Sequence, residues 1–248
     1  MTPEPIRLSR SQEQRFPLFL VCTLLPLVAL PIANVQGSGL SRLILPLAIN
    51  LLILQSVRAV PAWTWRPGGL SMNRLYQGLA WAGAITIWVP FVLGHHLPTP
   101  VRFLMVACRA LFFLLTAIRI IQTLAYSRRV SAQTLSLAAA GYIHMGLTGG
   151  LLATALQLVD SDSFRLGIYA SGEELVAQLT YFSFVTIGTL GYGDVVPRSP
   201  IGETFVVLLS IASTLYVSLL IGLLLSRYIA SRAKAVAGMA ASDLEERA

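Results

Sequence analysis

Apolar residues run along this chain in stretches of about 20, the length a helix needs to cross a bilayer core about 30 Å thick. Short polar stretches rich in Arg, Gly and Pro separate them. Six segments fit that ruler. The first, Phe16 to Asn34, is uncharged and carries Pro17, Pro26 and Pro31, so a kinked helix is expected, its freed backbone groups satisfied by neighbours. It begins late and lacks a small-residue cleavage site, which argues against a cleaved signal peptide. The second runs from Leu43 to about Val60, with Arg58 placed to snorkel and Trp63 and Trp65 following at headgroup depth. The third is Leu75 to Leu93 and the fourth Arg102 to Tyr126. The fifth lies within the uncharged run Val130 to Val159, and the sixth is Ile201 to Tyr228.

Between the fifth and sixth lies a segment of another kind. Glu173 to Val185 starts acidic, continues apolar and aromatic, and meets a glycine-rich turn too soon to cross. It reads as a re-entrant helix. Non-helical backbone at membrane depth survives only where protein or a watery cavity surrounds it, so the turn is a functional pointer.

Composition agrees with the spans: 55% of the 248 residues are hydrophobic, 12% are charged, and the mean hydropathy is +0.71. A soluble domain of this length carries about twice that charge. Cys22 and Cys108 sit in apolar runs as small hydrophobes, which suggests neither a disulfide framework nor a metal site. The net charge of +7 comes from 18 basic and 11 acidic residues. Arginines punctuate apolar segments instead of clustering with aromatics on a polar face, so no nucleic-acid partner is expected. They act as topology markers. With a cytoplasmic N-terminus, Arg7, Arg10, Arg15, Arg58, Arg66, Arg74, Arg128, Arg129, Arg227, Arg232 and Lys234 fall inside, while Arg42, Arg102, Arg165 and Arg198 fall outside. Both termini are thus expected in the cytoplasm of a multi-pass plasma-membrane protein. Asp160, Asp162, Glu173, Glu174 and Glu203 land outside around the re-entrant segment, either as ordinary loop charges or as a ring that concentrates cations.

The segment Tyr181-Phe182-Ser183-Phe184-Val185-Thr186-Ile187-Gly188-Thr189-Leu190-Gly191-Tyr192-Gly193-Asp194 carries the chemistry. A pore replaces a cation's hydration shell with oxygens when successive backbone carbonyls point the same way. L-residues resist that arrangement. Glycine admits the left-handed conformations it requires, which accounts for Gly191 and Gly193 around Tyr192. A glycine-rich turn between two spans is the bland alternative, weakened by Thr189 before, Asp194 after and a span on each side.

This stretch resembles the filter of tetrameric potassium channels, usually read Thr-Val-Gly-Tyr-Gly-Asp. The likeness continues through Val195-Val196-Pro197 and Ser199-Pro200-Ile201-Gly202 and covers residues 172 to 226. It implies K+ sites at the carbonyls of Thr189, Leu190, Gly191 and Tyr192, with Gly193 closing the filter and the Thr189 hydroxyl adding an oxygen. It also implies that Tyr192 braces the filter and that Asp194, Tyr181 or a neighbour, and Thr186 support it. Two departures stand out: Leu190 replaces the usual Val and should repack against the pore helix, and Gly188 removes a hydroxyl where Thr is common. The Gly-Tyr-Gly element occurs once, so the pore needs several chains, by family resemblance four.

The sixth helix should line the inner cavity. The family's usual hinge glycine corresponds to Ser213, leaving the hinge absent or displaced to Gly222, and Thr214, Val217, Ile221 and Leu225 form a stripe that faces either the axis or the core. Six spans also invite comparison with voltage-gated channels. The fourth offers Arg102, Arg109 and Arg119 at wide spacing, and no Asp or Glu occurs between Glu13 and Asp160. Strong voltage gating is therefore not expected. His95 and His96 lie in an outer loop, as incidental residues or a pH sensor, and His144 lies in the fifth span.

The resulting expectation is an all-α membrane protein: six transmembrane helices plus a re-entrant pore helix and selectivity filter, assembled as a homotetramer in membrane lipid. Its parts are a cytoplasmic N-terminus (1–15), a four-helix peripheral domain (16–126), a pore domain (130–228) and a short tail (229–248) that either continues the inner helix or forms a small bundle and is expected to encode no ligand-binding gating domain. K+ would move passively, with no enzyme activity and no cofactor. A weakly selective cation channel and a non-conducting scaffold are the rival readings; a single filter element argues against a pore-loop transporter.

Overall fold

The computed structural model describes residues 10–33, 41–61, 69–93, 97–127, 131–166 and 173–246. Arg7, Asn34, Trp63, Trp65, Arg66, His95, His96, Arg128 and Arg129 lie outside the described residues. So do the side chains of Arg10, Arg42, Glu173, Leu225, Arg227, Arg232 and Lys234.

The described elements are helical apart from one short strand pair. A single-turn helix α1 (Arg10–Glu13) precedes α2 (Phe16–Ala33), which starts with Pro17 in its first turn, where a missing N–H costs nothing, and stays helical through Pro26. Helix α3 (Ser41–Ala59) likewise contains Pro46. The third expected span is corrected: α4 (Gly69–Thr86) begins six residues before Leu75 and stops before a turn, and the separate α5 (Val89–Leu93) follows. Pro90 explains the break, because its ring excludes the carbonyl four residues back and it donates no hydrogen bond.

Helix α6 (Thr99–Tyr126) starts with Pro100 in its first turn, and α7 (Ala132–Val159) is N-capped by Ser131, whose hydroxyl accepts from the Thr134 N–H at 3.2 Å. Helix α8 (Glu173–Ile187) is the short segment before the glycine turn. Helix α9 (Pro200–Glu246) runs unbroken far past Tyr228, where the sixth span was expected to end; Ala-rich sequence with no proline lets it continue. Among the described residues, three helices are long and apolar enough to cross a bilayer: Thr99–Ala125, Ala132–Val159 and Pro200–Gly222. Phe16–Leu30, Leu43–Ala59 and Glu174–Ile187 are shorter apolar helices. Six full spans are thus more than the described helices show.

One buried cluster joins the first helices to the last: Phe16 and Phe19 of α2, Leu52 of α3, Tyr76 of α4, Phe112 and Ile120 of α6, Leu137 and Leu147 of α7 and Tyr216 of α9. Helix α7 is its spine. Within that contact His144 is fully buried, stacked on Phe113 with centroids 4.7 Å apart, and its Nε2 lies 3.1 Å from the Phe113 carbonyl. Arg119 is also buried: its guanidinium lies 3.7 Å from the centre of the Tyr76 ring and donates to the Asn73 side-chain oxygen. The Tyr76 hydroxyl in turn bonds Thr116 at 3.0 Å, so α4 and α6 are joined by a cation over an aromatic face and a hydroxyl pair. Arg109, half-buried, donates from Nε to the Met105 carbonyl of its own helix at 3.2 Å.

Candidate functional site

Helix α8 is seated by two faces. Leu175, Leu179 and Phe182, at helical spacing, pack with Ala153, Phe164 and Val195. The other face meets glycines of α7. A Cβ at Gly146 would stand 2.5 Å from the Phe184 ring, at Gly149 2.3 Å from the Ser183 hydroxyl, and at Gly150 2.6 Å from the Thr180 Cα. Hydrogen is the only side chain these contacts admit. Small residues permit such close helix approach in an apolar setting, where burial of side chains supplies little drive between helices. The signal was present in the sequence as Gly146, Gly149 and Gly150 within one span, but nothing there names their partner.

The end of α8 uses every carbonyl of its last turn. The Gly188 N–H donates to Phe184 O at 2.9 Å, Thr189 N–H to Thr186 O at 3.0 Å and Leu190 N–H to Val185 O at 2.9 Å. The last two bonds form a Schellman motif in which Thr189 occupies the left-handed position. The fourth carbonyl, Ile187 O, accepts the Tyr142 hydroxyl of α7 at 3.0 Å.

Thr189 has φ +58°, Gly191 +57° and Gly193 +78°. Positive φ thus recurs at alternate residues from Thr189 to Gly193. At Gly191 and Gly193 glycine bears this conformation at no steric cost. Thr189 is β-branched, and such a residue in this region costs about 1–3 kcal/mol and persists only where the surroundings over-determine it. Sequence reasoning anticipated the two glycines and missed the threonine, since a helix-terminating left-handed residue is usually glycine. At Gly188, the nearer candidate, a Cβ would stand 2.9 Å from Phe184 O, the carbonyl one turn back that its own N–H bonds.

Thr189, Leu190, Gly191, Tyr192, Gly193 and Asp194 are all exposed, Leu190 by 59% and Tyr192 by 66%. The Leu190 side chain, expected to repack against the short helix before it, lies beside Gly188 at the end of α8, and part of it stays uncovered. Tyr181 lies beside Asp194, and an Asp194 oxygen accepts the Val195 N–H at 3.0 Å. The Thr186 hydroxyl turns back to Phe182 O at 2.8 Å, so that residue supports the turn through its carbonyl.

Beyond Asp194 the chain is fastened again. Strands β1 (Phe164–Arg165) and β2 (Val196–Pro197) pair antiparallel, Phe164 opposite Pro197 and Arg165 opposite Val196. The Ser163 carbonyl accepts the Arg198 N–H at 2.9 Å and presses on Gly202, where a Cβ would stand 2.5 Å from it. Arg198 and Asp162 form an exposed ion pair at 3.7 Å.

Helix α9 starts here and is thinly covered: 17% of its apolar span is buried, against 56% for α7. Thr214, Val217 and Ile221 are exposed, and the Thr214 hydroxyl bonds Ser210 O at 2.9 Å. Ser213 is buried and helical, and Gly222 faces open space. Neither position interrupts the helix.

Residues 163–230 match a family model described as ion channel. The match takes in α8, the glycine turn, β2 and the apolar part of α9, and leaves α2 to α7 outside. No curated protein and no solved structure matches the chain. The match and the apolar spans together support a membrane protein of ion transport.

Proposed function

We propose that this chain is one subunit of a homotetrameric, potassium-selective channel of the plasma membrane, with both termini cytoplasmic. Its quarter of the filter is Thr189 to Gly193, backed by Tyr181, Thr186 and Asp194. The observation that carries the reading is the alternation of positive φ at Thr189, Gly191 and Gly193 directly after a short apolar helix. Such a ribbon presents carbonyl oxygens in a row, and the sequence supplies one ribbon per chain. Dehydrating a cation on all sides takes further copies, which also suits the exposure of the ribbon and of α9. The carbonyl end of α8, the negative pole of its dipole, favours a cation beside it. Thr214, Val217, Ile221 and Leu225 are the candidates for the inner pore.

Strong voltage gating is not part of this reading. A moving charge needs partners along its path, each crossing charge being worth about 2.3 kcal/mol per 100 mV. The sequence offers no carboxylate between Glu13 and Asp160, and Arg119 is engaged by Tyr76 and Asn73.

The test is ion flux into liposomes holding the purified full chain, with potassium, with sodium alone, and with Gly191→Ala. A Cβ at Gly191 meets nothing within 4 Å, so the variant strains the backbone without crowding it; the left-handed penalty is about 1–2 kcal/mol per subunit. Potassium flux that sodium does not reproduce and that the variant loses is the expected result. Equal flux of both ions would favour the weakly selective channel, for which the absence of a side chain at Gly188 and the inward-turned Thr186 hydroxyl speak. No flux and no potassium binding would point to a scaffold.

A further inference from the structure

The hydrogen bond from Tyr142 to Ile187 O stands apart from the other bonds that end the pore helix. Three of the last four carbonyls of α8 are satisfied by the chain that follows, and would be in any helix ending this way. The fourth is held from a different helix, by a residue 45 positions earlier. It lies two residues before Thr189, which keeps a conformation that a threonine adopts only under constraint.

Tyr142 is itself tied to α9. Its ring lies 6.5 Å from that of Tyr216, whose hydroxyl donates to Ala138 O, one turn earlier on α7, at 2.7 Å. Gly141 makes this possible, since a Cβ there would stand 2.3 Å from the Tyr216 hydroxyl oxygen. One turn of α7, residues 138–142, thus holds the inner helix on one side and the last carbonyl of α8 on the other. A displacement of α9 at Tyr216 moves the turn that carries Tyr142.

We infer that Tyr142 is a positioning residue for the ion-selecting ribbon: its hydroxyl, steadied by Tyr216, fixes the last turn of α8 and so keeps Thr189 left-handed. The inference rests on the proposed filter and adds to it a side chain outside residues 163–230 that sets its geometry from α7. Without the hydroxyl, Ile187 O loses its partner, the last turn gains freedom, and Thr189 can relax toward φ below zero, turning its carbonyl out of the row. Discrimination between ions of different size is the property that such a loss reaches first.

The experiment compares K+/Na+ permeability ratios of the full chain in liposomes for the unchanged protein, Tyr142→Phe, Tyr216→Phe, the double variant and Thr148→Val. Thr148 is a control on the same helix, buried, with its hydroxyl bonded to His144 O of its own helix at 2.8 Å. Tyr142→Phe should lower the ratio about fivefold, the equivalent of one net hydrogen bond of about 1 kcal/mol. Tyr216→Phe should lower it less, the double variant no further than Tyr142→Phe alone, and Thr148→Val not at all. If Tyr142→Phe yields no folded protein, Tyr216→Phe decides: a lowered ratio supports the tie and an unchanged one overturns it. An unchanged ratio in both tyrosine variants, or an equal fall in Thr148→Val, overturns the inference and leaves the filter standing. Absence of potassium-selective flux in the unchanged protein overturns the filter, and the inference with it.

Discussion

Glycines on α7 and glycines on α4 do opposite things. At Gly146, Gly149 and Gly150 an added Cβ would stand within 2.7 Å of α8, whereas at Gly78 it would meet nothing within 4 Å and at Gly83 only side-chain atoms at 3.4 Å or more. The α7–α8 side of the molecule is built by close approach of helices, with a strained threonine and a fully satisfied helix end. The α4–α6 side is built by larger side chains, with a buried arginine laid over a tyrosine and bonded to an amide. A region that carries the proposed ion-selecting ribbon tolerates little slack. One that only has to pack can use residues of many sizes.

That contrast can be broken most sharply at Gly150. Gly150→Ala drives a Cβ toward the Thr180 backbone, and overpacking of this kind costs about 1–3 kcal/mol. We expect loss of the proposed tetramer, read by size-exclusion chromatography in detergent beside the unchanged protein, while an unchanged profile would show that α8 is not seated by the glycine notch.

Tyr76→Leu tests the α4–α6 side. It removes the face under Arg119 and the partner of Thr116; about 2 kcal/mol of stability should go with a desolvated cation–π contact, seen as a lower midpoint in thermal unfolding. The companion variant Arg119→Gln should leave the steepness of the conductance–voltage curve unchanged. A shallower curve would mean that Arg119 moves in the field and that the peripheral helices sense voltage after all.

Smaller effects should follow at the two ends of the scale. Gly78→Ala should be neutral or stabilising by up to about 1 kcal/mol, because Ala is the better helix former and the site is open; a marked loss would reveal a partner against α4. Arg198→Ala removes an ion pair whose side chains are 69% and 77% exposed, so less than about 0.5 kcal/mol should change in thermal unfolding.

The order of the helices was largely legible: α2, α3, α6 and α7 lie close to where apolar runs and short polar breaks put them. The third span was misplaced because Pro90 was counted as part of an apolar run instead of as a break. The bilayer ruler ends the sixth span at Tyr228, and of the two readings open for the Ala-rich tail, a continued helix is the one the structure shows. The strand pair β1–β2 is two residues per strand, too short to leave a periodic pattern.

By itself the sequence determined the spans that local composition encodes and the segment where glycine relieves backbone strain, Gly191 to Gly193. Only the tertiary structure decided which faces of these helices meet, because spans that are apolar all round carry no periodicity to mark a buried side. The Tyr142–Ile187 bond, the Gly150–Thr180 contact and the Arg119–Tyr76 pair each join residues 30 or more positions apart. The left-handed Thr189 belongs with them. A threonine rarely chooses that conformation alone, and here the end of α8 and its neighbours hold it there.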